Sequence, residues 1–267
     1  MYEEPYKWVE AVGNRRHYLD EQFKQGSPVV GLAYEGGIVL LTVSKGTPKL
    51  YEIYDRLALG GMGHPADLEK LRFSLLEMAH VEGFNRSPSD VTGSRMVKYG
   101  IAPVIKQAFE EVFKAPFIVK ILLAELGPKA GKEIFLTIDY DGTFEESGRG
   151  AVLAANKTVE QEMMTSLQGE SGPLSLEQAV AAALRAWAMG DRLQRQAAEH
   201  ENDRGDVSAQ AVIDTAALYA HVRETVAEKS IECVVLDRTQ PGSSKYRAVM
   251  PEELGRLLPK DIQASLS

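Results

Sequence analysis

Two apolar runs, Val29-Val30-Gly31-Leu32-Ala33-Tyr34 and Ile38-Val39-Leu40-Leu41-Thr42-Val43, flank Glu35-Gly36-Gly37. Runs of strand length around a glycine-rich turn predict a β-hairpin. Neither run alternates with polar residues, so both faces of the hairpin are expected to be covered. Leu50–Tyr54 and Leu57–Leu59 predict two further short strands, and Gly60-Gly61-Met62-Gly63 is expected to break the pattern, glycine marking close backbone approach or a positive dihedral. Ahead of the hairpin, Pro5 to Phe23 predicts a helix that starts on proline and ends at Gly26. Its stripe of Trp8, Val12, Leu19 and Phe23 is too thin to live alone, so it should dock on its own domain or on a neighbouring subunit.

Leu68, Leu71, Leu75 and Met78 recur at helical spacing. A second helix is predicted from Ser87 as cap, Pro88 in the first turn and Asp90 near the favourable end of the dipole. Its expected stripe is Val97, Ile101, Val104, Ile105, Ala108 and Val112, with a kink or break at Pro103. Strands are predicted over Phe117–Leu126, Ile134–Ile138, Thr143–Glu145 and Gly148–Ala155, with a tight turn at Asp141-Gly142. Asn156 is a candidate cap for one further helix, and Ser175 with Gln178 forms a capping-box pattern for another. The latter carries Leu176, Ala179, Val180, Ala183, Leu184 and Trp187 on its buried side. Arg192 to Asp206 is charged, a solvated helix extension or a loop, and Val207 to Ala227 regains helical character. Strands at Ile231–Leu236 and Tyr246–Val249 and a helix at Pro251–Leu258 close the chain. Blocks of strands with paired helices between them suggest sheet-on-sheet packing covered by helices.

Composition adds exclusions. The 267 residues are 44% hydrophobic and 25% charged, ordinary for a globular chain. A formal charge of −8 argues against a nucleic-acid binder and against a polyanionic membrane surface. The single cysteine, Cys233, allows no intrachain disulfide and suits a reducing compartment. With no apolar segment of signal-peptide or bilayer-spanning type, a cytoplasmic protein is expected. His17, His64, His80, His200 and His221 show no ligand spacing with Cys233, so no metal site is expected, and no phosphate-cradling glycine motif implies a nucleotide cofactor.

Five segments together carry a family resemblance: Ser27 to Gly37, Ile53-Tyr54-Asp55-Arg56, Asp90-Val91-Thr92-Gly93, Ile138-Asp139-Tyr140-Asp141-Gly142 and Val234-Val235-Leu236-Asp237. Their order and spacing resemble a proteasome core particle α-type subunit, closest to the bacterial, actinobacterial-style form. The resemblance implies an α+β fold, the four-layer αββα sandwich of the N-terminal nucleophile hydrolase and proteasome subunits, with an N-terminal docking helix. It divides the chain into a gate and docking helix over 1–26, the sandwich domain over 27–258 and a C-terminal tail over 259–267. The polar stretch from about Arg192 to Lys229 departs from the family pattern.

In catalytic members of that superfamily, a threonine freed by cleavage after glycine attacks the peptide carbonyl, with its own amino group as base and a lysine and an aspartate nearby. Matching this chain places Ser27 at the nucleophile and Lys49 at the lysine, while Val43 falls where the aspartate belongs. Gly26-Ser27 is therefore a candidate cleavage site for an N-terminal serine hydrolase. Pro28, the missing carboxylate and the helix ahead of Ser27 weigh against it. The resemblance implies instead a subunit without catalytic residues of its own. Such subunits form seven-membered rings that cap β-type proteasome rings, gate substrate entry and receive a ring ATPase or another activator. By position, Met1, Tyr2, Glu3 and Glu4 would be gate residues. Lys49 and Gly63 match a pocket that receives an activator's C-terminal tail, the ammonium meeting the terminal carboxylate. A self-assembling scaffold without a protease partner is the reading of a different class.

Overall fold

In a computed structural model of the chain, residues 5–111, 113–169, 172–200 and 214–263 are described. The candidate gate residues Met1 to Glu4 lie outside them, as do Val112, the C-terminal residues from 264 and the part of the polar stretch from 201 to 213.

Helix α1 (Pro5–Phe23) leads into β1 (Val29–Tyr34) and β2 (Gly37–Ser44), then β3 (Leu50–Tyr54) and β4 (Leu57–Gly63). Helix α2 (Pro65–Asn85), a short 3-10 turn (Pro88–Asp90), α3 (Gly93–Met96) and α4 (Ala102–Glu110) follow. Strands β5 (Val119–Glu125), β6 (Ile134–Ile138), β7 (Phe144–Ser147) and β8 (Gly150–Leu153) precede α5 (Lys157–Gln168), α6 (Leu176–His200) and α7 (Thr215–Val226). The described chain ends with β9 (Ser230–Asp237), β10 (Tyr246–Ala248), α8 (Pro251–Leu257) and α9 (Lys260–Gln263).

The strands form two five-stranded antiparallel sheets, ordered β10-β9-β2-β1-β8 and β3-β4-β5-β6-β7. Period-2 alternation sends Val29, Ile38 and Leu40 between the sheets, where they pack with Leu122, Ala124 and Phe135. Their neighbours Val30, Val39, Leu41 and Val43 point the other way, against Ala183, Leu184 and Trp187 of α6. On the second sheet, Leu59, Ile121 and Leu123 face Leu68, Leu71 and Leu75 of α2. Three apolar interiors thus separate four layers, the αββα sandwich that the family resemblance implied, with the hairpin covered on both faces as its apolar runs predicted.

Several local predictions hold for their stated reasons. Asn156 accepts from the Val159 amide at 3.0 Å. Ser175 and Gln178 exchange reciprocal capping bonds of 3.2 and 2.9 Å. Gly142 takes φ +82° in the predicted turn, and α6 runs through Arg192 to His200, so that part of the polar stretch is helix.

Others need correction. Gly60 to Gly63 does not end the strand but forms the second half of β4, paired with Val119 to Leu122. The glycines serve close packing there: a Cβ on Gly61 would lie 2.2 Å from a Leu68 methyl. The helix predicted at Ser87 is only the 3-10 turn; the longer helical run starts after Thr92, whose hydroxyl accepts from the Arg95 amide at 3.4 Å. Pro103 neither breaks nor ends that run. A π-helical segment, Val97–Ile101, lies just ahead of the proline, which has no N–H to give. The segment rotates the apolar face, so Val104 is exposed and Phe109 is buried in its stead.

Helix α1 docks on its own domain through its C-terminal half. Leu19 and Phe23 are fully buried in the interior between the sheets. The Phe23 ring stacks on Tyr140 at 5.8 Å, and the Tyr140 hydroxyl donates to Asp20 at 2.8 Å. Beneath them lies the buried Lys120 ammonium, 3.6 Å from Asp139 and 3.5 Å from Glu160. One turn earlier, the Arg15 guanidinium donates to the carbonyls of Ala108, Phe109, Glu111 and Lys114 at 2.7 to 3.2 Å. It thereby supplies donors to the C-terminal end of α4, whose last carbonyls have no helical partner. Arg15→Ala is expected to lower the unfolding free energy by roughly 2 kcal/mol, with Arg15→Lys recovering only part because it lacks the fork. Urea denaturation of the purified chain measures this; a change within about 0.5 kcal/mol for the alanine variant would show that the contact is incidental.

Candidate functional site

Ser27 sits where α1 hands over to β1. The Gly26 amide closes the helix by donating to the Phe23 carbonyl at 2.9 Å, and the Ser27 side chain is buried. Its hydroxyl accepts from the Trp187 indole N–H at 3.0 Å and lies 3.5 Å from the Thr42 hydroxyl. Thr42 in turn donates to the Pro28 carbonyl at 2.7 Å. Gln194, about two helical turns beyond Trp187 on α6, donates to the Gly26 carbonyl at 2.7 Å and accepts from the Ala155 amide at 2.8 Å. The peptide between Gly26 and Ser27 is therefore held on both sides. Among the described residues, the hydroxyl's partners are an indole and another hydroxyl, neither of which is a base at neutral pH. Val43 is buried beneath α6 within an apolar layer.

Lys49 lies at another corner, just before β3. Its carbonyl accepts from the Gly61 amide at 2.9 Å, tying it to β4. Its own amide and that of Leu50 donate to the Glu232 carboxylate of β9, at 3.0 to 3.1 Å and 2.8 Å. One carboxylate thus links an edge strand of the second sheet to the first. Gly63 stands two residues beyond Lys49's partner on β4, so the two candidate pocket residues share one end of the β3–β4 pair. Gly63 has φ +128°, and a Cβ there would lie 2.1 Å from the Ile118 carbonyl oxygen, so the position admits only glycine without strain. The adjacent His64 amide donates to that carbonyl at 2.7 Å, and the His64 ring caps α2 through the Ala66 amide.

The Lys49 ammonium is half-buried. Burial depresses its pKa, and the nearby Lys229 adds to this, while Glu232 and Asp191 oppose it. Burial raises the Glu232 pKa, against the pull of its backbone donors and of Lys49. Cys233, the following residue, is buried, and its thiol is pushed up to about 12 by burial, so it is a packing residue and not a nucleophile.

Sequence reasoning located Ser27, Lys49 and Gly63 but missed the groups that define their chemistry. Trp187 was legible as core, not as a hydrogen-bond donor, although a buried indole N–H needs a partner. Glu232 carried a signal that could have found it, since it is the one carboxylate inside the apolar run Ile231–Leu236. Among the described residues, no group of three or more His, Cys, Asp or Glu side chains could hold a metal ion, and no helix is long and apolar enough to cross a membrane.

Comparison with known proteins bears on the family of the chain. The family model Proteasome, described as proteasome subunit, matches residues 23–207. The chain is 31% identical over 162 residues to a proteasome subunit alpha of Acidimicrobium ferrooxidans, covering 60% of this chain and 69% of that protein. It is 26% identical over 247 residues to a proteasome subunit alpha of Thermobifida fusca, covering 92% and 86% of the two chains. For a proteasome subunit alpha of Streptomyces griseus the identity is 25% over 263 residues, covering 96% and 84%. The fold, the residues matched and these α-type relatives together establish that the chain belongs to the proteasome subunit family.

Proposed function

We propose that this chain is a non-catalytic α-type subunit of a proteasome core particle. It forms a seven-membered outer ring, stacks on β-type subunits in the cytoplasm, gates substrate entry and receives a ring ATPase or another activator. The observation that carries the reading is the state of Ser27. An N-terminal nucleophile needs a free amino group beside its hydroxyl to act as base. Here the helix ahead of Ser27 is docked into its own domain by Phe23, buried four residues earlier. The hydroxyl lone pair that would attack is engaged by Trp187.

Assembly is supported by apolar surface left uncovered. Helix α1 exposes Trp8 and Val9, and α2 with the π-helical segment exposes Phe73, Phe84 and Tyr99. Large exposed aromatics of this kind mark surfaces that meet neighbours. For the activator, the reading rests on Lys49, a half-buried cation at a rigid strand end, beside Gly63, whose backbone approaches closely without a side chain. Residues Met1 to Glu4 would be the gate.

Three outcomes are expected. The purified chain alone shows no peptidase activity, its intact mass retains the residues before Ser27, and mixing with a β-type partner gives stacked rings by electron microscopy. Peptide hydrolysis by the chain alone, with a new N-terminus at Ser27, would sink the reading in favour of an autoprocessed hydrolase; rings that never recruit a β-type chain would favour a scaffold. Lys49→Ala should abolish stimulation by an activator's C-terminal peptide while ring assembly stays intact, and unchanged stimulation would remove Lys49 from the pocket. Trp187→Phe should cost about 1 to 3 kcal/mol in thermal or urea unfolding, because the Ser27 hydroxyl loses its donor, and should confer no hydrolysis.

A further inference from the structure

A buried polar side chain costs stability unless it is hydrogen-bonded. Ser27, Thr42, Asp191, Gln194 and Thr225 are all buried, and all belong to one connected set around α6. Trp187, Asp191 and Gln194 stand at i, i+4 and i+7 of that helix, so they share one of its faces. Two of them reach the junction of α1 with β1. Trp187 donates to the Ser27 hydroxyl at 3.0 Å, and Gln194 donates to the Gly26 carbonyl at 2.7 Å. Asp191, between them, turns to α7. Its Oδ2 lies 2.8 Å from His221 Nε2 and 2.8 Å from Arg195 Nε. Arg195 also donates to the Thr225 hydroxyl at 3.3 Å, and that hydroxyl donates to the His221 carbonyl at 2.9 Å.

The two halves of this set touch through their rings. The His221 imidazole stacks on the Trp187 indole, with centroids 6.3 Å and planes 25° apart. The indole N–H reaches Ser27 only in one side-chain orientation, and the imidazole against the indole face helps to hold it there. The imidazole is held in turn by a carboxylate. Burial works to raise the Asp191 pKa, but the His221 hydrogen bond and the Arg195 charge outweigh it and hold the carboxyl below its usual range. An anion therefore stands inside a helix contact that Leu218, Tyr219 and Val222 already fill with apolar surface. Burying it costs stability, which points to a role in setting one geometry.

We propose that α7 is a strap. Through Asp191 and His221 it sets the Trp187 indole on Ser27 and so steadies the docked end of α1, coupling α7 to α1 by way of α6. Asp191 and His221 are positioning residues, since they act on Ser27 only through Trp187. The coupling is reciprocal, as linkage requires, so loosening the end of α1 also loosens α7. Helix α7 lies in the stretch from Arg192 to Lys229 that departs from the family pattern, and the strap gives that part of the stretch a task. On the subunit reading proposed above, α1 is the base of the gate and the strap regulates it. The contacts that carry the coupling do not depend on that reading.

The test is hydrogen exchange of the purified full-length chain, followed by mass spectrometry. Asp191→Asn removes the anion, and His221→Gln keeps a donor for Asp191 but removes the ring from Trp187. Both should speed exchange in α7 and also in α1 from Asp20 to Phe23, by about tenfold, with β5 and β6 unchanged as the sign of an intact fold. Gln194→Ala, which loosens the end of α1 directly, should speed exchange in α7 as well. Faster exchange confined to α7 in the first two variants and to α1 in the third would overturn the coupling. Either result leaves the subunit reading to its own test, the assembly of rings.

A second measurement reads the indole itself. Trp8 and Trp187 are the two tryptophans of the chain, so Trp8→Phe leaves Trp187 as the sole emitter. In that background Ser27→Ala should change the Trp187 emission, because the N–H loses its acceptor. With His221→Gln also present, Ser27→Ala should change it little, because the bond is already lost. Equal changes with and without His221 would show that α7 does not set the indole, and would overturn the strap.

Discussion

The structure depends on burying the β1–β2 hairpin on both faces. Each fully buried Val, Leu or Ile side chain contributes about 1.5–3 kcal/mol, so a hairpin apolar on both sides cannot be left at a surface. One face demands a second sheet and the other demands helices. Strands β3 to β7 meet the first demand, α5 and α6 the second, and the second sheet then needs α2 and α4 for its own outer face. The order of layers follows from that requirement. Gly61 lets the buried strand β4 approach Leu68 of α2 closely.

The same packing decides what Ser27 can do. It stands at the entrance of the hairpin, where α1 enters the space between the sheets with Leu19 and Phe23. Helix α6 crosses the outer face and brings Trp187 and Gln194 down onto the Gly26–Ser27 peptide. Two side chains of one helix thus clamp a hydroxyl and a carbonyl that a hydrolase would have to free. What distinguishes this position is more than the valine at Val43. It is a network in which the would-be nucleophile has a structural partner.

At the Lys49 corner, electrostatics is arranged by backbone bonds more than by ion pairs. Glu232 spends its oxygens on two main-chain amides, which ties the start of β3 in the second sheet to β9 in the first. Surface ion pairs are worth little. The stability of the sheet junction therefore comes from main-chain donors meeting one half-buried carboxylate.

The local elements were determined by the sequence alone. Continuous apolar runs of strand length, the caps at Asn156 and Ser175, the turn at Asp141-Gly142 and the proline that opens α1 act over a few residues, so they can be read from a few residues. The glycines of β4 were misread because strand and break look alike until the partner strand is known. The helix start at Thr92 was misplaced because Ser87 offers an equally good local cap. The candidate residues Ser27, Lys49 and Gly63 could be named by position. Their chemistry could not, because it is written by side chains far away along the chain: Trp187 is 160 residues from Ser27, and Glu232 is 183 from Lys49. Such contacts exist only once the layers have packed, and only the tertiary structure could decide that a latent nucleophile is a buried hydrogen-bond acceptor.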